Sequence, residues 1–243
     1  MKDEPPAPRL LIERSTLGEK GKRFPGVLAL DRIHVGFRAG EVHAVVGENG
    51  AGKSTLMRVL AGDLRPSEGE ILVDGNATHF ASPLDSRAVS IVVYQELALC
   101  PTMTIAENVV MSDMARRPVA SLVSRAMMRA EARAALGRLG MDSLDPDTRV
   151  SRLSVAEMQL VEIARAVRQR ARVLVLDEPN SALSPRESER LFDVVRQLRA
   201  EGVTVIYVSH HLREVVDLAD RVTIMRDGRT IETLDNRTCP SSA

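Results

Sequence analysis

The residues best suited to chemistry lie in a glycine-rich loop at positions 47–55. The loop reads GENGAGKST, so that a glycine and four further residues precede Gly-Lys-Ser. Glycines let main-chain N–H groups turn inward around phosphate oxygens, the lysine reaches the outer phosphates, and the next hydroxyl can bind Mg²⁺. A chance match is expected in roughly 1% of chains of this length. The pattern predicts a phosphate-binding loop formed by Gly47, Glu48, Asn49, Gly50, Ala51, Gly52, Lys53, Ser54 and Thr55.

Two adjacent acids, Asp177 and Glu178, form the second group with chemical potential. They follow the apolar run VLVL, and the carboxyl ends of strands are where α/β sheets bind ligands. In isolation, such a pair is more often part of a turn or a helix cap. Downstream of a phosphate-binding loop, it indicates that Asp177 holds Mg²⁺, directly or through water, and that Glu178 is the general base for an attacking water. The two groups together predict a P-loop NTPase.

The elements that must position these residues are short apolar strands alternating with amphipathic helices. The run Val42–Val46 leads into the glycine-rich loop, and Lys53–Ala61 has helical character up to Gly62. This alternation predicts a mostly parallel sheet covered on both faces. Further strands are predicted at 71–73, 90–94, 172–176, 203–208 and 221–225, with Asp-Gly turn signals at 74–75 and 227–228.

The stretch from Thr104 to about Arg152 differs from the rest in being helical throughout. Thr104 and Glu107 have the spacing of a capping box, and 125–139 is rich in good helix formers. The stretch is predicted to be a helical lobe inserted into one α/β domain.

Composition excludes two broad classes of protein. The chain of 243 residues has 33 basic and 33 acidic side chains, which argues against a nucleic-acid binder with a broad basic face. With 44% apolar and 27% charged residues, global disorder is excluded. Because there are 4 Phe, 2 Tyr and no Trp, the core is predicted to be aliphatic.

The remaining features indicate a reducing compartment. Cys100 and Cys239 are too few for a disulfide framework and are interpreted as free thiols.

The first nine residues, MKDEPPAPR, have no apolar region of a signal peptide, and no apolar run approaches the ~20 residues of a membrane span. A cytoplasmic protein is expected, and any work at a membrane requires another anchor.

Several further segments decide which kind of NTPase this is. Gln95 lies in YQELALCPTMTIAEN, residues 153–159 read LSVAEMQ, residues 181–184 read SALS, and Ser209-His210 follows an apolar strand. In this order they resemble the ATP-binding subunits of ABC transporters, from about Phe24 to Gly228. Four segments are similar to the monosaccharide-import branch of that family, which serves ribose-, xylose- and galactose-type permeases. They are FPGVLAL, GEVHAVVGENGAGKSTLM, LSVAEMQLVEIARAV and VSHHLREV.

The resemblance implies a fold and a set of boundaries. The fold is α/β: a RecA-like P-loop NTPase core with a mostly parallel sheet, an antiparallel β subdomain and an inserted helical subdomain. Residues 1–17 and 236–243 are expected to be tails. The single ATP-binding domain is expected at 18–235, with its helical subdomain at about 96–152.

The resemblance also implies roles for individual residues. Phe24 would stack on adenine, although an ordinary core position is the alternative. Gln95 would bind Mg²⁺, sense the γ-phosphate and relay its state toward a membrane partner, the alternative being a solvated glutamine at a strand end. His210 would contact the γ-phosphate, and His211 is taken as a bystander, since the rings of adjacent histidines are expected to point apart. The catalytic set is therefore Glu178, His210, Gln95 and Lys53, and the Mg²⁺ set is Ser54, Gln95 and Asp177.

The segment LSVAEMQ departs from the family pattern Leu-Ser-Gly-Gly-Gln. Its Ser154, Val155 and Ala156 would contact the ATP of an opposing subunit, with valine and alanine in place of the two glycines. Glu157 replaces the glutamine, and a carboxylate near that phosphate would repel it. Alternatively, Glu157 forms a capping box with Ser154. Asn180 and Ser184 are milder departures that affect rate more than chemistry.

The implied function is an ATP-hydrolysing subunit of a membrane importer, with ATP and Mg²⁺ as ligands. The expected partners are a second ATP-binding domain (itself or a paralogue), transmembrane permease subunits at the helical subdomain and, indirectly, an extracytoplasmic sugar-binding protein, but no nucleic acid. The expected location is the cytoplasmic face of the membrane. The alternatives are a non-hydrolysing or weakly active partner in an asymmetric pair, and a soluble ABC ATPase outside transport. Sugar-branch ATPases are commonly double-length, and this chain holds one such domain.

Overall fold

The computed structural model describes residues 10–18, 28–94, 98–114 and 124–236, and these form two compact units. The α/β unit holds the described residues up to 93, those at 172–178 and those from 198 onward. The helical unit holds 94–171 and 179–197, and so extends beyond the lobe predicted at 96–152.

Strands and helices alternate along the described residues. The strands are β1 Leu10–Gly18, β2 Leu28–Phe37, β3 Val42–Val46, β4 Glu68–Val73, β5 Asn76–Thr78, β6 Ile91–Tyr94, β7 Val173–Asp177, β8 Thr204–Val208, β9 Arg221–Arg226 and β10 Arg229–Asp235. The helices are α1 Lys53–Ala61, α2 Pro83–Ala88, α3 Ile105–Met114, α4 Arg125–Gly137, α5 Val155–Arg168, α6 Pro185–Ala200 and α7 Leu212–Leu218.

The larger sheet of the α/β unit has six strands in the order β10-β9-β3-β8-β7-β6. Strand β3 pairs in parallel with β8 and β9, and β7 pairs in parallel with β8, whereas β10 is antiparallel to β9. Every residue of β3 and β8 is buried, as expected of strands covered on both faces. The predicted mostly parallel sheet is confirmed.

A second, antiparallel sheet in the same unit has the order β2-β1-β4-β5. Asp74 and Gly75 join β4 to β5 as a two-residue turn, with φ of 48° and 78°. Left-handed φ at both positions is what a type I′ hairpin requires. The antiparallel β subdomain and this hairpin are therefore confirmed.

Two strands correct the sequence-based boundaries. A tail was expected up to residue 17, but Leu10–Gly18 forms β1, paired on both sides by β2 and β4. The strand β10, Arg229–Asp235, follows what was predicted to be the last strand. Both sequences are rich in polar residues, and strand formation depends on partners distant along the chain more than on local composition. Residues 1–9 and 237–243, predicted as tails, lie outside the described residues.

Helix α1 is held by an aliphatic core directly behind the glycine-rich loop. Leu56, Met57 and Leu60 are buried in one cluster with residues of the parallel strands, including Val45 and Val208. Burying each such side chain contributes about 1.5–3 kcal/mol. This packing fixes the first turn of α1, and with it the lysine that begins the helix.

A buried polar cluster is centred on His43 in β3. The His43 side chain is fully buried; its Nδ1 lies 2.8 Å from Glu41 Oε1 and its Nε2 lies 2.7 Å from Thr223 Oγ1. Because an ionised carboxylate only accepts, Nδ1–H donates to Glu41 and Nε2 accepts from the threonine hydroxyl. Burial lowers the pKa of His43 although Glu41 opposes the effect, so the ring is neutral in the folded protein.

We expect the free energy of unfolding to fall as the pH drops below about 6.5, the ordinary pKa of histidine. Since the folded-state pKa of His43 is lowered, the unfolded chain binds the proton more readily. The stabilisation is complete above the ordinary pKa and is lost as pH falls toward the folded value, with a slope of at most about 1.4 kcal/mol per pH unit. Urea unfolding from about pH 7.5 to about pH 5.5 measures this slope. His43→Gln should flatten it and His79→Gln, at an exposed histidine, should not; an unchanged slope in His43→Gln would contradict the assignment.

Helices α3 and α4 of the helical unit both begin with a side-chain cap, and the one at Thr104 was predicted. At the start of α3, Thr104 N–H donates to Glu107 Oε2 over 2.7 Å, and Glu107 N–H donates to Thr104 Oγ1 over 3.2 Å. The Ser124 side chain caps α4 by accepting from Met127 N–H. Within the described residues, no helix combines the length and apolar character needed to cross a membrane.

Candidate nucleotide-binding site

The loop between β3 and α1 requires glycine at two positions. A Cβ on Gly47 would lie 2.3 Å from the carbonyl oxygen of Met225. At Gly52, φ is 98°, and a Cβ would lie 2.9 Å from the carbonyl oxygen of Ala29. The absence of side chains at these positions lets the main chain form a tight turn in front of the α1 N-terminus, a geometry suited to binding phosphate.

Lys53, the first residue of α1, is folded into this loop. Its side chain is buried, and its Nζ donates to the carbonyl oxygens of Gly47 at 2.7 Å and Glu48 at 3.0 Å. Both acceptors are uncharged, so the loop holds a positive charge without neutralising it. An ammonium has three N–H donors, which leaves the third for an anionic ligand.

Asp177, at the carboxyl end of β7, meets the residue that follows the lysine. Its side chain is hydrogen-bonded to that of Ser54. Burial and the neighbouring Glu178 raise the pKa of Asp177, while Lys53 and the Ser54 hydrogen bond oppose this effect. The Asp177 carboxylate and the Ser54 hydroxyl are both hard oxygen ligands. A divalent cation bound to them would offset the negative charge that burial makes unfavourable. These residues fit Mg²⁺.

Glu178 and His210 lie close together, just beyond the carboxyl ends of the adjacent strands β7 and β8. Asp177 pairs with Val208, so the residues following β7 and β8 emerge side by side. Glu178 Oε1 lies 3.0 Å from His210 Nδ1, with the two side chains 37% and 47% exposed. Both are therefore accessible to water and to a phosphate. Glu178 has φ of 47° and its N–H donates to the Val208 carbonyl, which fixes the turn presenting the carboxylate.

The position of His210 depends on a set of hydrogen bonds that sequence reasoning missed. Glu214 Oε2 accepts from the Tyr207 hydroxyl at 2.9 Å and from Ser209 Oγ at 3.1 Å. Burial raises the pKa of Tyr207, and the Glu214 charge adds to the effect, so the phenol stays a donor. The His211 N–H in turn donates to Ser209 Oγ at 3.0 Å. No spacing rule covers a serine-glutamate contact of this kind, since it depends on where α7 begins.

The His211 ring does not point away from its neighbour. The His210 and His211 ring centroids lie 4.0 Å apart, tilted by 41°. His211 is the N-terminal cap residue of α7, and this position turns its ring back toward His210. The expectation that the two rings diverge is therefore wrong.

Ser154 and Glu157 form the predicted capping box at the start of α5. Ser154 N–H donates to Glu157 Oε2 at 2.8 Å, and Glu157 N–H donates to Ser154 Oγ at 3.2 Å. The carboxylate is thus turned back to the main chain of its own helix. Val155 is 38% exposed and Ala156 is buried, so the serine and the valine are the accessible part of this segment.

The segment after Glu178 is tied to the same helix. Gln159 Nε2 donates to the carbonyl oxygen of Pro179 at 2.5 Å. Next to it, both amide atoms of Asn180 are buried without a hydrogen-bond partner among the described residues. A buried amide without a partner costs about 1–3 kcal/mol, so we expect Asn180 to lower the free energy of unfolding. Phe24 and Gln95, expected at adenine and at the γ-phosphate, lie outside the described residues.

The fold and this group of side chains define the class of protein. A family described as ABC transporter matches residues 30–181, and the chain belongs to that family.

The curated relatives that the chain resembles include ATP-binding proteins named for sugar import. The chain is 45% identical over 224 residues to the arabinose import ATP-binding protein AraG of Yersinia pestis, covering 92% of this chain and 42% of that protein. It is 49% identical over 211 residues to the ribose import ATP-binding protein RbsA 1 of Rubrobacter xylanophilus, covering 86% and 42%. The chain thus spans less than half the length of the curated relatives it matches.

Solved structures confirm the fold. A nucleotide-free ATP-binding cassette from an ABC transporter superposes with a TM-score of 0.80 at 26% identity, covering 94% of this chain and 91% of that one. The cbiO1 protein of Clostridium perfringens, part of the ABC transporter complex cbiONQ, gives a TM-score of 0.81 at 27% identity, covering 96% and 90%. The fold is therefore that of an ABC ATPase cassette.

Proposed function

We propose that this chain hydrolyses ATP to power a membrane ABC importer for a monosaccharide. The observation that carries the proposal is the convergence, within the α/β unit, of a lysine, an Mg²⁺-type oxygen pair and a carboxylate-imidazole pair. They lie at or after the carboxyl ends of β3, β7 and β8, and they are Lys53, Ser54, Asp177, Glu178 and His210.

The proposed reaction is an in-line attack of water on the γ-phosphorus of ATP. The Lys53 ammonium neutralises negative charge on the outer phosphates. Ser54 and Asp177 would hold Mg²⁺, which supplies further charge neutralisation when bound. Glu178 accepts a proton from the attacking water as its oxygen bonds to phosphorus and the bond to the β-phosphate oxygen breaks. His210 donates a hydrogen bond to a γ-phosphate oxygen. Phe24 and Gln95 stay proposals for adenine stacking and γ-phosphate sensing.

The site is proposed to be completed by a second ATP-binding domain. The start of α5, where Ser154 and Val155 are exposed and Ala156 lies buried behind them, presents a capped helix N-terminus suited to a γ-phosphate of the partner. The second domain is another copy of this chain or a paralogue. Transmembrane permease subunits would dock on the helical unit at the cytoplasmic face of the membrane, and a sugar-binding protein would act through them. The sugar assignment is supported by relatives named as arabinose and ribose import proteins.

Steady-state ATP hydrolysis across protein concentration tests the proposal. Specific activity that rises with concentration supports a self-pairing ATPase. With permease subunits in vesicles, stimulation by a sugar-loaded binding protein supports the importer assignment. ATP binding without hydrolysis at any concentration would overturn the self-pairing version, and hydrolysis insensitive to permease and binding protein would overturn the transport role.

Replacing Glu157 by glutamine is expected to raise specific activity by about twofold to fivefold, because it removes a negative charge near the partner's phosphate. Glutamine keeps a carbonyl oxygen for the Ser154 N–H, so the unfolding free energy should change little. Glu157→Ala is the matched variant, since it removes the same charge together with half of the capping box. It should also raise activity per folded molecule but lower the melting temperature. Unchanged or reduced activity in Glu157→Gln would contradict the repulsion.

A further inference from the structure

The main chain at residues 98–100 is held by side chains instead of by a sheet. Residues 98–100 form no helix or strand, yet the main-chain groups of Ala98 and Cys100 are hydrogen-bonded. Their partners come from α5 and α3, both of which belong to the helical unit. The segment is therefore attached to two helices at alternate residues.

The attachment to α5 uses Glu162 and Arg165, one turn apart. Glu162 Oε1 accepts from Ala98 N–H at 2.7 Å and from Arg165 Nη2 at 3.2 Å. Arg165 Nη1 donates to the Ala98 carbonyl oxygen at 3.3 Å. Both main-chain groups of one residue are thus bound by a single ion pair.

Burying the Glu162 carboxylate at this position is energetically unfavourable. Its side chain is 3% exposed, and its neighbours on α5 include buried Val161, Ile163 and Ala164. Burial raises the pKa of Glu162, with the Arg165 charge and the Ala98 hydrogen bond opposing. A buried carboxylate is less favourable for packing than an apolar side chain. The hydrogen bond to Ala98 therefore accounts for a carboxylate at position 162, whereas packing does not.

The attachment to α3 uses Asn108, which is fully buried. Its Oδ1 accepts from Cys100 N–H at 2.7 Å, and its Nδ2 donates to the carbonyl oxygens of Cys100 at 3.1 Å and Thr104 at 2.9 Å. This second contact limits how far the segment can move when the first is removed, so a variant of Glu162 is expected to fold.

We propose that Glu162, with Arg165, is a positioning residue that couples the segment at 98–100 to the helix beginning at Ser154. Ala98 lies three residues after Gln95, and Glu162 lies two turns after Ser154 on the same helix. The inference rests on the proposed function, in which Gln95 contacts one nucleotide and Ser154 contacts the partner's. The ion pair makes these two segments respond to nucleotide as one body.

The test compares Glu162→Ala, Glu162→Gln and the control Glu131→Ala in the full chain. Glu131 Oε2 accepts from Arg168 Nε at 2.5 Å, so the control removes an ion pair between α4 and α5 without touching Ala98. Amide hydrogen exchange at Ala98 should accelerate about tenfold or more in Glu162→Ala and stay near wild type in the control. The kcat for ATP should fall about fivefold or more with KM little changed, because the variant disturbs positioning through Ala98 and removes no group proposed to bind ATP. Glutamine retains the acceptor oxygen and should restore most of both quantities.

The outcomes separate the inference from the function on which it rests. Equal loss of kcat in Glu131→Ala would show a general structural effect and overturn the inference. Faster exchange at Ala98 with a wild-type kcat would overturn it as well. If the wild-type chain does not hydrolyse ATP, the proposed function fails, and exchange still decides the inference. In that case, adding ATP should change the hydrogen-exchange protection of Ala98 and of residues 154–157 together in the wild-type chain. In Glu162→Ala the two should change independently. Independent changes in the wild-type chain would overturn the inference.

Discussion

Glu178→Gln is expected to lower kcat for ATP hydrolysis by about 10²- to 10⁴-fold, the range that a positioned general base contributes. The amide cannot take the proton that the attacking water must lose. It is close in size to the carboxylate and can still bond to His210, whose Nδ1 lies 3.0 Å from Glu178 Oε1. ATP affinity should stay near that of wild type, because Lys53 and the loop main chain are unchanged. The ATP-bound form should therefore accumulate, and single-turnover hydrolysis with equilibrium nucleotide binding separates the two effects.

The matched control for this variant is Glu232→Gln, which removes the same charge from an exposed position on β10. It should hydrolyse ATP at the wild-type rate. If Glu178→Gln retained the wild-type kcat, Glu178 would not be the base, and a proton path through His210 or through phosphate itself would have to replace it. If both variants lost activity, the effect would be one of overall charge.

Elements with strong local signals are predictable to the residue in this chain. The bounds of β3 and α1 agree with the sequence prediction, because an apolar β-branched run, a glycine turn and a terminating glycine all lie within one short stretch. The capping box at Ser154 is likewise local, since both hydrogen bonds join residues three positions apart. Such signals need no knowledge of the tertiary structure.

Elements that depend on distant partners are not predictable in this way. The register of β1 shifts repeatedly against β2, and its stability comes from pairing with β4, which follows much later in the chain. The contact between Ala98 and Glu162 joins residues 64 positions apart. An isolated glutamate in LVEIARAV is an exception to an apolar pattern, but its partner is known only once α5 packs beside the 98–100 segment.

The candidate site shows the same division. The phosphate loop is recognisable from spacing within one strand-loop-helix unit, and Asp177 is recognisable from its place at the end of an apolar strand downstream of that loop. The pairing of Glu178 with His210 requires β7 and β8 to be neighbours, which the order of strands along the chain does not specify. The Ser209-Glu214 hydrogen bond, which supports His210, is apparent only from the folded turn.

Lys53→Ala is expected to weaken ATP binding by about 10- to 100-fold, which corresponds to losing one hydrogen bond to a charged group. In the nucleotide-free protein the Lys53 ammonium is bonded to the Gly47 and Glu48 carbonyl oxygens and carries a charge that they do not neutralise. Its removal should therefore change the melting temperature of the free protein little, while the stabilisation conferred by ATP is reduced. At a nucleotide concentration of about 100 times the wild-type Kd, that stabilisation is about 2.7 kcal/mol for wild type.

Arg58→Ala controls for loss of a positive charge from α1, because Arg58 is exposed on the same helix and outside the loop. It should bind ATP as wild type does. Isothermal titration with ATP, with and without Mg²⁺, measures both variants. If Lys53→Ala bound ATP as tightly as Arg58→Ala, the ammonium would not contact the phosphates, and the loop would act through its main-chain N–H groups alone. Because main-chain N–H groups carry only partial charges, weaker binding in the lysine variant alone is the expected result.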